Sequence, residues 1–250
     1  MDPRGKVAIV TGGATGLGRA ISRMLADAGA IVAVNYPAPD ADEARVTVSQ
    51  IVDTGGTAIA VEADVSSPGQ VGAMVSHVVE SFGGVDIFVN CAGTTVFIDF
   101  KDLAGLKESD WDRIFAVNAK GPFLCAQAVV PHMRKRGAGV IVTITSGSGL
   151  SPGGSSIAYA ASKAALEMTN KCLAQALGPQ IRVNTVAPGM LATRWGARFG
   201  KEGLERRRQS LPTKRLTSIE DVATTVLFAV RNDSVTGSTL LVDAGGSTIR

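Results

Sequence analysis

The sequence predicts an α/β fold in which a doubly wound parallel sheet carries helices on both faces. Short apolar runs of strand length alternate with longer stretches of helical periodicity from one end of the chain to the other. One of these runs, residues 139–145, is nearly continuous Val and Ile, as expected of a strand buried on both faces. No linker, repeat or second domain is evident in the 250 residues, so we assign residues 1–250 to a single domain.

The chain begins with a strand, a glycine-rich turn and a helix. Residues 6–10 are an apolar run, and residues 11–18 follow the pattern T-G-x-x-x-G-x-G. Ile21 and Leu25 share one face of the next segment, which predicts a helix that is closed by Gly29. A dinucleotide pyrophosphate can bind at such a strand-to-helix turn, on the helix N-terminus. The other interpretation is an ordinary tight βα turn.

Three further strands are predicted in the first half of the chain. Residues 31–35 and 58–62 are short apolar runs, and residues 85–90 are a third. Apolar residues recur at helical spacing over 71–82, and a long helical stretch covers about 110–136. Strands that are joined by helices of this length pair in parallel.

The second half continues the alternation after the strand at 139–145. A helix that contains Tyr159 comes next, followed by a strand at 181–187, a helix at 219–230 and a last strand at 239–242. The pattern therefore gives seven strands in all.

The least regular stretch runs from about 190 to 214. A segment of this length without a clear strand is usually a lid or a binding loop. Residues 201–209 are also consistent with a solvated helix whose charges serve solubility. In the lid interpretation, Trp195 and Phe199 face the substrate and set substrate preference.

Tyr159 and Lys163 are four residues apart in a predicted helix, so they share one face. A neighbouring ammonium group favours the phenolate, and we expect Lys163 to lower the pKa of Tyr159. A tyrosine that ionises near neutral pH can act as a general acid or base. Taken alone, this spacing is also that of a surface tyrosine stacked on a lysine stem.

The complete set of motifs resembles the short-chain dehydrogenase/reductase family, over a length that reaches from Lys6 to Gly246. The family's motifs have counterparts here in the same order: Thr11 to Gly18, Asp64-Val65, Asn90-Cys91-Ala92-Gly93, Asn118, Ser146, Tyr159 with Lys163, and Pro188-Gly189. The resemblance implies a Rossmann-type sheet with strand order 3-2-1-4-5-6-7. It also implies hydride transfer between a nicotinamide cofactor and a ketone or secondary alcohol.

The resemblance assigns a role to each of four catalytic residues. Tyr159 gives or takes the proton, and Ser146 holds the substrate oxygen. Lys163 tunes Tyr159 and bonds the nicotinamide ribose, and Asn118 organises a water chain to solvent. The competing interpretations are a helix-capping Ser146 and a buried, fully bonded Asn118.

The expected cofactor residues lie at the carboxyl ends of strands, where open parallel sheets bind ligands. Strand two ends in Asn35-Tyr36, without a carboxylate to repel a 2′-phosphate, so we expect NADP(H), with a weak preference over NAD(H). Asp64 could instead cap a helix, and Asn90 could satisfy its own turn. The full set is Thr11, Gly12, Thr15, Gly16, Leu17, Gly18, Asn35, Tyr36, Asp64, Val65, Asn90, Ala92, Gly93, Tyr159, Lys163, Pro188, Gly189 and Thr193.

The expected substrate is a medium-sized ketone or secondary alcohol in a mainly apolar pocket. A first alternative is a 3-oxoacyl-acyl-carrier-protein reductase, although Gln175 and Gln180 stand where cations would help to dock an acidic carrier. A second alternative is a non-catalytic dinucleotide-binding sensor or scaffold. The expected substrate-binding residues are Thr95, Ser148, Met190 and Trp195.

Composition limits the partners. The net charge of +3 is too small to argue for nucleic acid without a patterned basic face. Cys91, Cys125 and Cys172 have no metal-ligand spacing, and we expect buried thiols in a reducing compartment. With no signal peptide and no apolar run near the ~20 residues of a membrane span, we expect a cytoplasmic protein. The resemblance implies a homotetramer or homodimer.

Overall fold

The computed structural model describes residues 1–193 and 196–248, and it contains a seven-stranded sheet in the order β3-β2-β1-β4-β5-β6-β7. All six neighbouring strand pairs are parallel. The predicted fold class and strand order are thereby confirmed. The strands are β1 Val7–Thr11, β2 Ile31–Tyr36, β3 Thr57–Glu62, β4 Ile87–Asn90, β5 Gly139–Ile144, β6 Ile181–Pro188 and β7 Thr239–Val242.

Helices cover both faces of this sheet. In the described residues the α-helices are α1 Gly16–Asp27, α2 Ala41–Val52, α3 Pro68–Phe82, α4 Glu108–Phe115, α5 Gly121–Lys135, α6 Ile157–Leu177, α7 Gly200–Ser210 and α8 Ile219–Arg231. The sequence pattern did not assign α2. Its buried face consists of Ala44, Thr47 and Ile51, and only one of these is strongly apolar.

Two apolar clusters, one on each face, make up the core. Val10 and other alternate residues of the central strands face α1, α2 and α8. Ile9 and the intervening residues face α3 and α5. This alternation follows from the two-residue period of a strand. It explains why the central strands contain almost no polar residues.

The stretch that was expected to be irregular is partly helical. A 3₁₀ turn covers Gly196–Phe199 and α7 follows at once, with none of its residues fully buried. Leu191 and Thr217 form an isolated parallel bridge that closes the stretch at its base. The prediction of a solvated helix over 201–209 is confirmed for α7.

Helices α4 and α5 are continuous through a π-helical turn at Ala116–Lys120. The combined helix Glu108–Lys135 is long and apolar enough to cross a membrane, judged by length and composition alone. This differs from the expectation of no such stretch. Its most apolar window is 44% buried inside the protein, and the core helices of soluble proteins meet the same criterion.

The three cysteines lie in different environments. Cys125 is buried in α5, Cys91 is half-buried after β4, and Cys172 is exposed on α6. The expectation of buried thiols is therefore wrong for Cys172, which lies on the outer face of its helix.

Candidate active site

The carboxyl ends of β1, β4, β5 and β6 are neighbours in the sheet, so the segments that follow them meet at one edge. Thr11 ends β1, Asn90 ends β4, Ser146 follows β5 and Pro188 ends β6. Thr11 Oγ1 accepts hydrogen bonds from the backbone N–H groups of Cys91, at 3.1 Å, and Ala92, at 3.2 Å. The β1 turn and the segment after β4 are thereby tied together.

Tyr159 lies in the first turn of α6. The helix begins after Ser156, whose Oγ accepts from the Tyr159 N–H at 3.2 Å as an N-cap. A hydrogen bond joins the Tyr159 side chain to Ser146. Ser146 Oγ also accepts from the Ser148 N–H at 3.1 Å, so the capping interpretation and the site interpretation of Ser146 are both compatible with its contacts.

The pKa of Tyr159 is raised, which corrects the expectation that it is lowered. Burial of the phenol is the main cause, and the hydrogen bond with Ser146 opposes it only in part. The Lys163 Nζ lies 5.8 Å from the centre of the Tyr159 ring and donates to the Ile144 carbonyl oxygen at 2.9 Å. In the chain by itself, desolvation of the phenol therefore outweighs its hydrogen bond with Ser146.

Lys163 is 4% exposed, and burial lowers the pKa of its ammonium to about 8. Cys91 and Glu167 oppose that lowering. A lysine that ionises near this value remains mostly charged at neutral pH and can still exchange a proton.

Asn118 is fully buried in the π turn and uses both amide hydrogens. Its Nδ2 donates to Thr94 O at 2.9 Å and to Ser162 Oγ at 3.0 Å, and its Oδ1 accepts from the Thr94 N–H at 2.8 Å. Ser162 Oγ donates in turn to Tyr159 O at 2.7 Å. Asn118 thus braces α6, and its expected part in a water chain stays a prediction.

The glycine-rich turn is tightly packed at Gly12 and Gly18 and open at Gly16. A Cβ on Gly12, where φ is +61°, would lie 3.0 Å from Ala92 Cα, and one on Gly18 would lie 2.0 Å from the Gly12 oxygen. By contrast, a Cβ on Gly16, where φ is +51°, would meet only the Thr193 methyl group among residues 1–193 and 196–248, at a distance of 3.9 Å. Because α1 begins at Gly16 and has no acidic residue in its first turn, this open space suits an anion.

Asn35 is buried beneath this turn. Its Nδ2 donates to Val61 O at 3.2 Å and to Ala63 O at 3.1 Å, and its Oδ1 accepts from the Gly12 N–H at 3.3 Å. The side chain therefore braces the turn against β3. Its expected contact with the cofactor stays a prediction, whereas Tyr36 is half-buried at the end of β2.

Arg19 is the cation nearest in sequence to the turn, and Glu43 of α2 holds it in an ion pair. Its Nε donates to Thr47 Oγ1 at 2.8 Å and to Ala14 O at 3.1 Å. A cofactor phosphate would compete with Glu43 for this guanidinium. Arg45 is paired with Asp42 on the exposed side of α2.

The expected adenine-side residues are also engaged within the protein. Asp64 accepts from the Ser66 N–H at 2.8 Å and pairs with Arg113 at 3.1 Å. Burial raises the pKa of Asp64, but these hydrogen bonds outweigh it and leave the pKa lowered. Asn90 Nδ2 donates to Thr143 Oγ1 at 3.3 Å, inside the sheet. Their contacts with a cofactor stay predictions.

Several expected substrate-side residues come together in front of Tyr159. The Thr95 and Ser155 hydroxyl groups are 2.5 Å apart, and Ser155 O accepts from the Ile98 N–H at 2.9 Å. A Cβ on Gly154 would lie 2.6 Å from Ser148 Oγ and 3.3 Å from the Tyr159 ring. These contacts place Thr95 and Ser148 on segments that adjoin the tyrosine.

The segment at 196–199, within the expected lid, packs against the same region through aromatic contacts. The rings of Phe97 and Phe199 meet edge to face with their centres 5.6 Å apart, and the Arg198 guanidinium lies 5.3 Å from the centre of Phe97. Met190 is half-buried at the start of the segment. Trp195, which was also expected to bind substrate, lies outside the described residues.

Sequence reasoning missed four residues that support this site: Ser155, Ser162, Glu167 and Arg113. Glu167 had a signal, because it follows Lys163 by four residues and so shares its helix face. The serines and Arg113 had none, since their contacts join segments that are far apart in sequence.

Comparison with known proteins supports the resemblance that the motifs indicated. The family model described as "Enoyl-(Acyl carrier protein) reductase" matches residues 12–247. The 3-oxoacyl-acyl-carrier-protein reductase FabG of Staphylococcus epidermidis is 36% identical over 245 residues, which cover 96% of this chain and 98% of the relative.

Solved structures match over almost the full length. A dehydrogenase/reductase from Sinorhizobium meliloti 1021 is 35% identical, with a TM-score of 0.88 over 97% of this chain and 95% of the other. Levodione reductase is 27% identical, with a TM-score of 0.91 over 99% of each chain.

Proposed function

The chain belongs to the short-chain dehydrogenase/reductase family, whose members act on C=O and CH–OH groups, and we propose that it transfers a hydride between a nicotinamide cofactor and a ketone or secondary alcohol. One observation carries the proposal. The Tyr159 phenol is hydrogen-bonded to Ser146, and Lys163 lies one turn further along the same helix face. Residues of these types in this arrangement can transfer the proton and stabilise the developing oxyanion.

Tyr159 and Ser146 act on the substrate oxygen. A nicotinamide, when bound, supplies or accepts the hydride. In reduction, the Tyr159 phenol gives its proton to the carbonyl oxygen, and the Ser146 hydroxyl donates a hydrogen bond that holds the same oxygen. In oxidation, Tyr159 takes the hydroxyl proton.

Lys163 and Asn118 assist proton transfer by Tyr159. The Lys163 ammonium stabilises the phenolate that forms in reduction, and it is also the group that we assign to the nicotinamide ribose. Because burial brings the pKa of Lys163 to about 8, the residue can pass a proton on at neutral pH. We assign the water chain to Asn118, where the π turn interrupts the regular backbone bonding of the helix.

The cofactor is expected at the carboxyl edge of the sheet, with its pyrophosphate over Gly16 and the N-terminus of α1. We propose a weak preference for NADP(H). No carboxylate ends β2, where one would repel a 2′-phosphate. The Arg19–Glu43 pair works against a strong preference, since the guanidinium is already neutralised.

The substrate pocket is proposed to lie between Tyr159, the segment around Thr95 and a lid at about 190–214, within a single domain. Phe97 and Phe199 would form an aromatic wall. That wall favours a medium-sized, mainly apolar ketone.

Reduction of a 3-oxoacyl-acyl carrier protein is the second candidate, and the S. epidermidis relative favours it. Arg134 and Lys135 are exposed at the end of α5, where an acidic carrier could dock. Arg136 is less suited to this task because it pairs with the buried Asp86 at 3.1 Å.

A turnover panel tests both candidates. The protein is mixed with NADPH or NADH and with ketones, diketones and 3-oxoacyl thioesters, and the nicotinamide absorbance is followed. Turnover of free ketones supports the proposal, and turnover of thioesters alone supports the second candidate. If no panel member reacts, a non-catalytic dinucleotide-binding role is favoured instead.

We also propose a cytoplasmic homotetramer or homodimer. Phe123 on α5 is 47% exposed and Met168 on α6 is 60% exposed. Leu241, on the edge strand β7, is 41% exposed. Large apolar groups at an edge strand and on outer helix faces suit contact with another copy of the chain.

A further inference from the structure

Glu167 is a buried acid that has no ion-pair partner in the part of the chain that the structure describes. It is 5% exposed, and it makes no ion pair with any residue that the structure describes. The Thr239 hydroxyl donates to Oε2 at 2.7 Å, and Thr185 Oγ1 lies 3.2 Å from the same oxygen. No donor in the described residues reaches Oε1. Buried carboxylates normally have a cation or several donors, so a specific reason is needed for this one.

Glu167 lies in line with the two catalytic residues of α6. Tyr159, Lys163 and Glu167 follow one another at intervals of four residues and therefore share one face. Helical side chains lean towards the N-terminus, so Glu167 leans over Lys163, and Lys163 leans over Tyr159. The contacts of Lys163 agree, since its Nζ reaches back to Ile144 O at 2.9 Å.

Three titratable groups face Lys163. Tyr159 and Glu167 come from its own helix, and Cys91 comes from the segment after β4. Burial raises the pKa of Cys91 to about 12, and the pKa of Tyr159 is also raised. Of the three, only Glu167 carries a carboxyl group. It acts against the burial that lowers the pKa of Lys163 to about 8.

We propose that Glu167 is a positioning residue for the reaction proposed above: its buried carboxylate keeps the Lys163 ammonium charged and directed at Tyr159. The threonine hydroxyl groups hold one oxygen in place, and the charge of the carboxylate acts on the Lys163 ammonium one helical turn away. Only the catalytic consequence rests on the proposed function, because the effect on Lys163 exists without substrate or cofactor.

The direct test is an NMR titration of the Lys163 side chain, whose resonance is assigned by its loss in Lys163→Met. In the unsubstituted protein the midpoint is expected near 8. Glu167→Gln keeps the shape of the side chain and can still accept from both threonines, but it removes the charge. We expect the midpoint to fall by about one pH unit, which is about a tenfold loss of proton affinity.

Thr239→Val is the matched control. It removes the hydrogen bond to Oε2 and keeps the carboxylate, so the Lys163 midpoint is expected to stay in place. The inference is overturned if Glu167→Gln leaves the midpoint unchanged, or if Thr239→Val lowers it equally. Should Glu167→Gln fail to fold, Glu167→Met fills a similar volume without charge and carries the same expectation.

The pH profile of kcat/KM gives a second measurement on the complete enzyme. Its alkaline limb should move towards neutral pH in Glu167→Gln by the same amount as the NMR midpoint. A limb that stays fixed while the midpoint moves would show that Glu167 affects Lys163 but not the reaction. A protein that turns over no panel substrate contradicts the proposed function and leaves the NMR result standing.

Discussion

The Lys163 ammonium lies 5.8 Å from the centre of the Tyr159 ring, close enough for a cation–π contact. Both side chains project from one face of α6, near Ser146 at the end of β5. The two residues thus lie at the edge of the sheet where the cofactor is expected.

Tyr159→Phe should reduce turnover by roughly 10²–10⁴-fold, the contribution expected of a general acid or base. Cofactor affinity should stay nearly intact, because the hydroxyl acts on the substrate side. Lys163→Ala should damage both turnover and cofactor binding, whereas Lys171→Ala on the exposed side of α6 should damage neither. Steady-state kinetics and cofactor titration measure these effects. If Tyr159→Phe kept more than about a tenth of the rate, the assignment would be wrong.

Lys163→Met should stabilise the fold, because it removes a buried charge. Burial lowers the Lys163 pKa from 10.5 to about 8, a difference worth about 3 kcal/mol. The lost hydrogen bond to Ile144 offsets about 1 kcal/mol, so the unfolding free energy at pH 7 should rise by about 2 kcal/mol. Urea denaturation measures this gain.

The same variant should show a defined pH dependence. The unfolded state binds the lysine proton more tightly than the folded state, so the cost of Lys163 is complete below about pH 8. It fades as the pH rises from about 8 towards 10.5, and the advantage of Lys163→Met should shrink over that window. An advantage that grew across this range would contradict the assigned direction.

Tyr36→Asp should shift cofactor preference from NADPH to NADH by at least about tenfold, or about 1.4 kcal/mol, because a carboxylate repels the 2′-phosphate. Asn35→Asp is a poor probe, since its new charge would face the carbonyl oxygens of Val61 and Ala63. Dissociation constants for both cofactors test the shift. If the unsubstituted protein bound NADH tenfold tighter than NADPH, the proposed preference would be contradicted.

Phe199→Ala should change kcat/KM unequally across substrates, because it removes the ring that packs on Phe97. We expect the same of Trp195→Ala. Replacement of Arg206, Arg207 and Arg208 by Gln should change mainly the salt dependence of the rate, since these residues lie on a helix without fully buried positions. A uniform slowing of every substrate by Phe199→Ala would argue against a role in specificity.

Sedimentation at micromolar protein should show a species larger than the 25.7 kDa monomer. Met168→Glu places a charge on an exposed apolar position of α6 and should weaken the assembly if α6 contributes to the interface. Observation of the monomer alone would end the proposal of an oligomer.

The sequence was sufficient for the fold because its signals are local. A continuous apolar run such as 139–145 indicates a strand that is buried on both faces of the sheet. Apolar residues at helical spacing, as in 71–82, indicate a helix with one buried face. The α2 helix was not predicted from the sequence because small and polar residues line its inner face. The boundaries moved by up to three residues, since helix and strand ends depend on caps and on neighbouring strands.

The sequence by itself determined that Tyr159 and Lys163 share one helix face and that the glycine-rich turn joins β1 to α1, because both relations depend on spacing along one segment of the chain. Only the tertiary structure decided what surrounds them. Burial raised the pKa of Tyr159, Asn35 was turned inward to brace Gly12, and Thr185 and Thr239 came together around Glu167. Desolvation and hydrogen bonding depend on neighbours from distant strands, and the spacing of residues along the chain does not encode them.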